Sequence, residues 1–291
     1  MQAGDMKAFS GTLNFDNMDI RNVLTLEFQW IDDEGITQSE RFRYFNREYL
    51  LEGDITISDL IDELELTSID DLVNSSETYE IIIDGKLSIS ENISLGENFQ
   101  FKMKPGSSIS IEDGAEISFM QTSFIGCSGS TWEGIKLKGD ASLSMCQTLI
   151  GDASVGLESL ENSVVSLDKS VIKNCTVGLR IENQSIIDFF QGNEFIENSI
   201  AIQAVNCTNY LNLATDDYNF KNTFTDNTFG IVLNNSSGNV TGNSFNGGVT
   251  GLVVGNSDMT NIGGNEFGIM LRAIDIVNSD FVTLRWNDIC Y

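Results

Sequence analysis

Gly178-Leu179-Arg180-Ile181-Glu182-Asn183 returns 23 residues later as Ala201-Ile202-Gln203-Ala204-Val205-Asn206. The same frame, a small residue followed by an aliphatic one, starts at Gly134, Gly156, Gly230, Gly251 and Ala273. Counted from Gly134, the spacings are 22, 22, 23, 29, 21 and 22 residues. A fixed period over most of a chain is the mark of stacked repeats.

Aligned on the small residue, the repeats show columns. The next position is aliphatic in all seven: Ile135, Leu157, Leu179, Ile202, Ile231, Leu252 and Ile274. Two further on it is apolar again except at Ser159, and the position between varies. Apolar, variable, apolar is the period-2 signature of a strand with one buried face. Five residues after the small residue stand Asn183, Asn206, Asn235, Asn256 and Asn278, with Gly139 in the first repeat. Asn and Gly tolerate a left-handed backbone, so a structural turn is expected there, its stacked amides bonding along the stack.

Six residues before the small residue lies Ile150, Ile172, Phe195, Phe224, Phe245 and Phe267, continued by Ile289. The four phenylalanines each sit in Asn-x-Phe. Such a row predicts an aromatic stack inside the core. A third short strand is expected at 164–167, 186–189, 210–213, 259–262 and 281–284. Three strands per repeat and no helix between them predict an all-β, right-handed parallel β-helix of about 22-residue coils; the hand follows the preference of parallel crossovers. A leucine-rich frame is absent, and a propeller blade needs about 40 residues.

Residues 1–79 do not follow the repeat and read as a mixed α/β cap or domain, with the β-helix spanning 80–291. Strands are expected at 9–15, 23–30 and 41–45, with a turn at Asp32-Asp33-Glu34-Gly35. Helices are expected at 58–64 and 68–73, each capped by a threonine with an acid three residues on, Thr56 with Asp59 and Thr67 with Asp70.

The 291 residues carry 43 acids, 16 bases and no histidine, a net charge of −27. Such an anion repels nucleic acid and anionic membranes, and it disfavours uronate polymers. No membrane span is visible, so no membrane insertion is expected. No cofactor or metal site is expected, only weak Ca2+ association from charge. The five cysteines have no metal-type spacing and read as small buried hydrophobes.

Pro105-Gly106-Ser107-Ser108-Ile109-Ser110-Ile111-Glu112-Asp113-Gly114-Ala115, then Trp132-Glu133-Gly134-Ile135, then the Asn-x-Phe and Gly-Ile/Leu repeats, carry a resemblance. Residues 80–291 resemble the right-handed parallel β-helix region of secreted Bacteroidota surface proteins. That resemblance implies export, often by the type IX system, an extracellular or cell-surface location and an adhesin-like role.

For chemistry the sequence offers little. A polygalacturonase-like histidine is impossible without histidine. Lys136, Glu158 and Arg180 alternate in sign on successive coils, which reads as a cross-strand charge ladder. The informative irregularity is the 29-residue coil, where the stretch from Asn206 to Phe224 is lengthened and holds Tyr210, Asp216, Asp217 and Tyr218. Insertions in repeat proteins map to loops on one face, often the binding face. These four residues are the candidate binding site: aspartates for a cation, tyrosines for a sugar ring.

The reading is therefore a non-enzymatic, extracellular structural or adhesive module with a glycan or surface partner. The alternatives are a polysaccharide lyase or glycoside hydrolase of the β-helix type, and a phage or filament fibre segment. A neighbouring domain or subunit is expected at the C-terminal end, with Phe267, Leu284 and Trp286 exposed there.

Overall fold

A computed structural model of the chain describes residues 24–31, 37–44, 48–73, 79–97, 99–127, 129–215 and 220–290. It divides into two compact units, 1–48 and 49–291. In the first, Leu24–Ile31 and Thr37–Tyr44 form an antiparallel pair, Leu24 opposite Tyr44 and Ile31 opposite Thr37. The strand expected at 9–15 and the turn at 32–35 lie outside the described residues.

The second unit is a parallel β-solenoid. Leu87, Ile109, Ile135, Leu157, Leu179, Ile202, Ile231, Leu252 and Ile274 stand opposite one another on successive coils, nine in all. Every residue in this row is Leu or Ile and faces Leu or Ile on the adjacent coils, and the row from Leu87 to Leu252 is buried. Full burial of one such side chain stabilises by about 1.5–3 kcal/mol, which makes the row a large part of the fold's stability. Trp132 is buried as well and donates from Nε1 to the Gly151 carbonyl at 2.8 Å.

The second row runs Phe101, Phe124, Ile150, Ile172, Phe195, Phe224, Phe245, Phe267, Ile289. The rings of Phe195, Phe224, Phe245 and Phe267 stack at 5.1, 4.6 and 4.9 Å between centroids. This row explains the small-residue column. A Cβ on Gly251 would lie 2.8 Å from the Phe267 ring and 2.8 Å from the Ala273 carbonyl oxygen. The glycine makes room for the ring.

The turn asparagines behave as expected: Asn183, Asn206, Asn235, Asn256 and Asn278 all have φ between 49° and 58°. The continuous amide ladder, however, belongs to the asparagines of Asn-x-Phe. Asn193, Asn222, Asn243 and Asn265 are buried. The Oδ1 of each of Asn222, Asn243, Asn265 and Asn287 accepts a bond from the amide Nδ2 of the residue one coil before it. Three further backbone N–H groups, of Cys207, Ser236 and Ser257, bond in the same manner to Ser236, Ser257 and Ser279. Tight turns leave backbone donors inside the coil, and each must find an acceptor there.

At the front of this unit, Glu48–Thr56 pairs with Tyr79–Ile89. The helix Ile57–Glu63 has the expected capping box between Thr56 and Asp59. For the helix Ile69–Val73 the acid is Asp71 instead of Asp70: its backbone N–H bonds Ser68 Oγ at 3.2 Å, and its carboxylate accepts from Thr67 N at 3.2 Å. Ile57, Leu60 and Leu64 join the same buried cluster as the first coils, so the helices cover apolar surface that an open coil would expose.

Two expectations are corrected here. Phe267 is buried, its ring stacked on Phe245 within the core; Leu284 and Trp286 are exposed as expected. The cysteines are not uniformly buried: Cys175 and Cys207 are, Cys127 and Cys146 are half-buried, and Cys290 is exposed.

Candidate functional site

The third strands of the later coils form their own sheet, Leu211–Asn212, Gly238–Thr241, Asn261–Gly263 and Thr283–Arg285. Leu211, Val240 and Ile262 point into the core, so by the alternation of a strand their neighbours point out. Asn212, Asn239, Asn261 and Thr283 stand opposite one another in an outward column. Asn261 Nδ2 donates to Asn239 Oδ1 at 2.8 Å, and Asn239 Nδ2 donates to Asn212 Oδ1 at 3.4 Å.

Two residues earlier in each coil runs a parallel column: Tyr210, Ser237, Met259, Phe281. Tyr210 is 54 % exposed, Met259 68 % and Phe281 82 %. The preceding strand, Ile186–Gln191, neighbours Leu211–Asn212 and adds exposed Ile186 and Phe189. An apolar stripe and an amide ladder therefore lie side by side along the solenoid. Partial burial raises the Tyr210 phenol above its usual range.

The lengthened coil lies at the start of this stripe. Thr215 Oγ1 donates to the Phe220 carbonyl at 3.1 Å, and Gly192 N donates to the same oxygen at 2.8 Å. These bonds gather the two ends of the extra segment. Phe220 is exposed, with Lys169 Nζ 4.7 Å from its ring centroid, a cation–π contact. Of the four candidate residues, Tyr210 lies on the outer surface of this coil, while Asp216, Asp217 and Tyr218 fall outside the described residues. Asn212, Asn239, Asn261, Met259 and Phe281 escaped the sequence reading; their spacing follows the coil period and was the signal available.

A second feature is a groove of 430 Å³ over the early coils, lined among others by Lys86, Ser108, Ser110, Glu133, Lys136 and Lys138. Its lysines pair with carboxylates, Lys86 and Lys138 with Glu112 beside the groove and Lys136 with Glu158 on its lining. Glu112 takes Lys138 at 3.0 Å and Lys86 at 3.5 Å. Partial burial pushes the Glu112 carboxyl up, but the hydrogen bonds from Lys138 and the charges of Lys138 and Lys86 outweigh it and hold it below the usual range. Glu158 takes Lys136 at 3.0 Å and Arg180 at 3.8 Å, and Arg180 continues to Glu182 at 2.6 Å. The charge ladder expected at Lys136, Glu158 and Arg180 is present.

Among the described residues, no group of three or more His, Cys, Asp or Glu side chains could hold a metal ion. Among them too, no helix is long and apolar enough to cross a membrane.

No protein-family model matches the chain, and no curated protein matches it in sequence. In structure it is similar to a point mutant of the periplasmic alginate epimerase AlgG, with 10% identity, 81% of this chain and 85% of that chain covered and a TM-score of 0.40. It is also similar to PfbA, a surface protein and adhesin of Streptococcus pneumoniae, with 10% identity, 74% and 77% covered and a TM-score of 0.24. These likenesses concern the fold alone.

Proposed function

We propose that the chain is a structural and adhesive β-solenoid module, acting outside the cell or at its surface, that holds a glycan on the wall carrying the lengthened coil. The observation that supports this most is Tyr210, a neutral aromatic projecting from that coil beside the Asn212–Asn239–Asn261 ladder. Aromatic rings offer an apolar face with a polar handle, and side-chain amides supply paired donors and acceptors. Asp216, Asp217 and Tyr218 belong to the same proposed site, on the same coil.

A glycan array combined with a reducing-end assay tests the reading. The expected result is retention of one or more glycans without chain cleavage, and loss of retention in Tyr210→Ala. Cleavage abolished by a single Asp substitution would establish a polysaccharide-active enzyme instead.

A further inference from the structure

The outward columns run along the solenoid, across the strands. Coils in such a stack repeat at about 4.8 Å. Asn212, Asn239 and Asn261 therefore recur at a constant pitch on three successive coils, while the column beside them carries Tyr210, Met259 and Phe281 with Ser237 between the first two. Within the ladder Asn239 spends one N–H and one lone pair on its neighbours, Asn261 one N–H and Asn212 one lone pair. The amide group has two N–H donors and two lone pairs, so each rung keeps capacity facing solvent.

The apolar column has a second peculiarity. Met259 and Phe281 hold φ of 55° and 54°, a conformation that costs a side-chain-bearing residue about 1–2 kcal/mol and that Gly or Asn adopts more cheaply. Other left-handed positions of this chain hold Asn183, Asn206 and Asn235 but also Gln121, Gln147, Lys169 and Trp286, so the backbone does not select an apolar side chain here; what marks Met259 and Phe281 is their exposure.

Charge narrows the class of ligand. The columns Tyr210, Ser237, Met259, Phe281 and Asn212, Asn239, Asn261, Thr283 hold no charged residue. The whole chain bears −27, so a polyanion would meet long-range repulsion and no local cation in either column. A peptide strand bound by augmentation needs a free sheet edge, and these columns lie on a sheet face.

We infer that the stripe binds an uncharged, extended oligosaccharide lying along the solenoid axis, its ring faces on Tyr210, Met259 and Phe281 and its hydroxyls on Asn212, Asn239 and Asn261. This rests on the glycan-binding reading above and adds the charge class, the direction and the length of the ligand.

The test is calorimetry on the full chain with neutral β-1,4-linked gluco- and manno-oligosaccharides of two to eight residues. Oligogalacturonates and heparin-derived fragments serve as charged comparisons. Affinity for one neutral series should rise with length and then level off. Tyr210→Ala should weaken long and short members alike, by about tenfold, equivalent to 1.4 kcal/mol. The paired change Met259→Ser with Phe281→Asn should weaken the long members and leave the short ones unchanged; both sites are exposed, and a matching circular dichroism melt checks the fold. Preference for the charged series would overturn the charge class. Equal loss for long and short ligands, or none, in the paired variant would overturn the axial direction while leaving glycan binding intact. Failure of every glycan to bind would remove the underlying reading as well. A dimer that the paired variant abolishes in sedimentation would assign the stripe to a second copy of the chain and overturn the inference.

Discussion

Asn222 Oδ1 accepts two bonds from Asn193 on the preceding coil, one from its backbone N–H and one from its Nδ2, each at 3.0 Å, with both residues buried. Asn222 in turn donates to Asn243 Oδ1 at 3.0 Å and to the Phe190 carbonyl at 3.3 Å. One side chain thus satisfies groups on two neighbouring coils.

Truncating it leaves those groups unsatisfied in a dry interior. An orphaned buried donor or acceptor costs about 1–3 kcal/mol. Asn222→Ala should therefore lower stability by about 3 kcal/mol or more, read as a shift of the urea midpoint. A loss under 1 kcal/mol would mean that water replaces the amide. Asn235→Ala, at an exposed turn, should cost less; the price there is mainly the left-handed φ of 51°.

The glycine column makes a second prediction. In Gly251→Ala the new methyl meets the Phe267 ring and the Ala273 carbonyl at 2.8 Å each, and overpacking of this kind costs about 1–3 kcal/mol. Phe267→Leu added to Gly251→Ala should recover part of the loss, since contacting sites couple. Strict additivity in that double-mutant cycle would show that the ring is not what the glycine accommodates.

The solenoid was legible because its core columns repeat in the sequence at the coil period and in one residue class each. Leu157, Leu179, Ile202 and Ile231 are the same chemistry at the same phase. The ladder was only partly placed: in the turn column Asn235 Nδ2 donates to Asn206 Oδ1 at 2.9 Å, but the continuous ladder runs elsewhere. Asn183 and Asn193 are the same residue at two phases of the coil, and composition does not say which faces inward; only the packing of Asn193 behind Phe195 does. The binding wall was half legible. The lengthened coil marked Tyr210; Met259 and Phe281 open the third strands expected at 259–262 and 281–284, but they differ in type and their exposure showed only in the packed structure. Asp71 replaced Asp70 as the capping acid because Ser68, one residue after Thr67, takes the N-cap role.

The last described coil bears exposed Leu271, Leu284 and Trp286. Its strands Arg272–Val277, Thr283–Arg285 and Asp288–Ile289 pair, among the described residues, with the preceding coil on one side. Unpaired strand edges template further pairing. For the 291-residue chain alone, these exposed side chains and strand edges should give concentration-dependent self-association in light scattering. Leu271→Lys should suppress it. A chain that remains monomeric at high concentration, with protected amides in 272–277, would remove the need for a neighbour.

The cysteines give a prediction for alkaline pH. Burial pushes the Cys175 thiol up to about 11, against an ordinary value of 9.0, with the nearby Asp152 charge adding to the rise and backbone hydrogen bonds from Ala153 and Gly156 opposing it. Below pH 9 the thiol is protonated in both folded and unfolded chains, and the site has no effect on the pH dependence. Between pH 9 and 11 the unfolded chain releases the proton while the folded chain retains it, so stability falls as pH rises through this window. Two units correspond to about 2.7 kcal/mol. Cys175→Ala should flatten that alkaline limb relative to the parent chain when urea midpoints are compared at pH 8 and pH 10.5. The same burial makes the thiol inert: at pH 7.5 a maleimide should label exposed Cys290 first and leave Cys175 and Cys207 unmodified until the solenoid unfolds. Early labelling of Cys175 in native buffer would mean that its coil opens locally, and the alkaline limb should then be shallow as well.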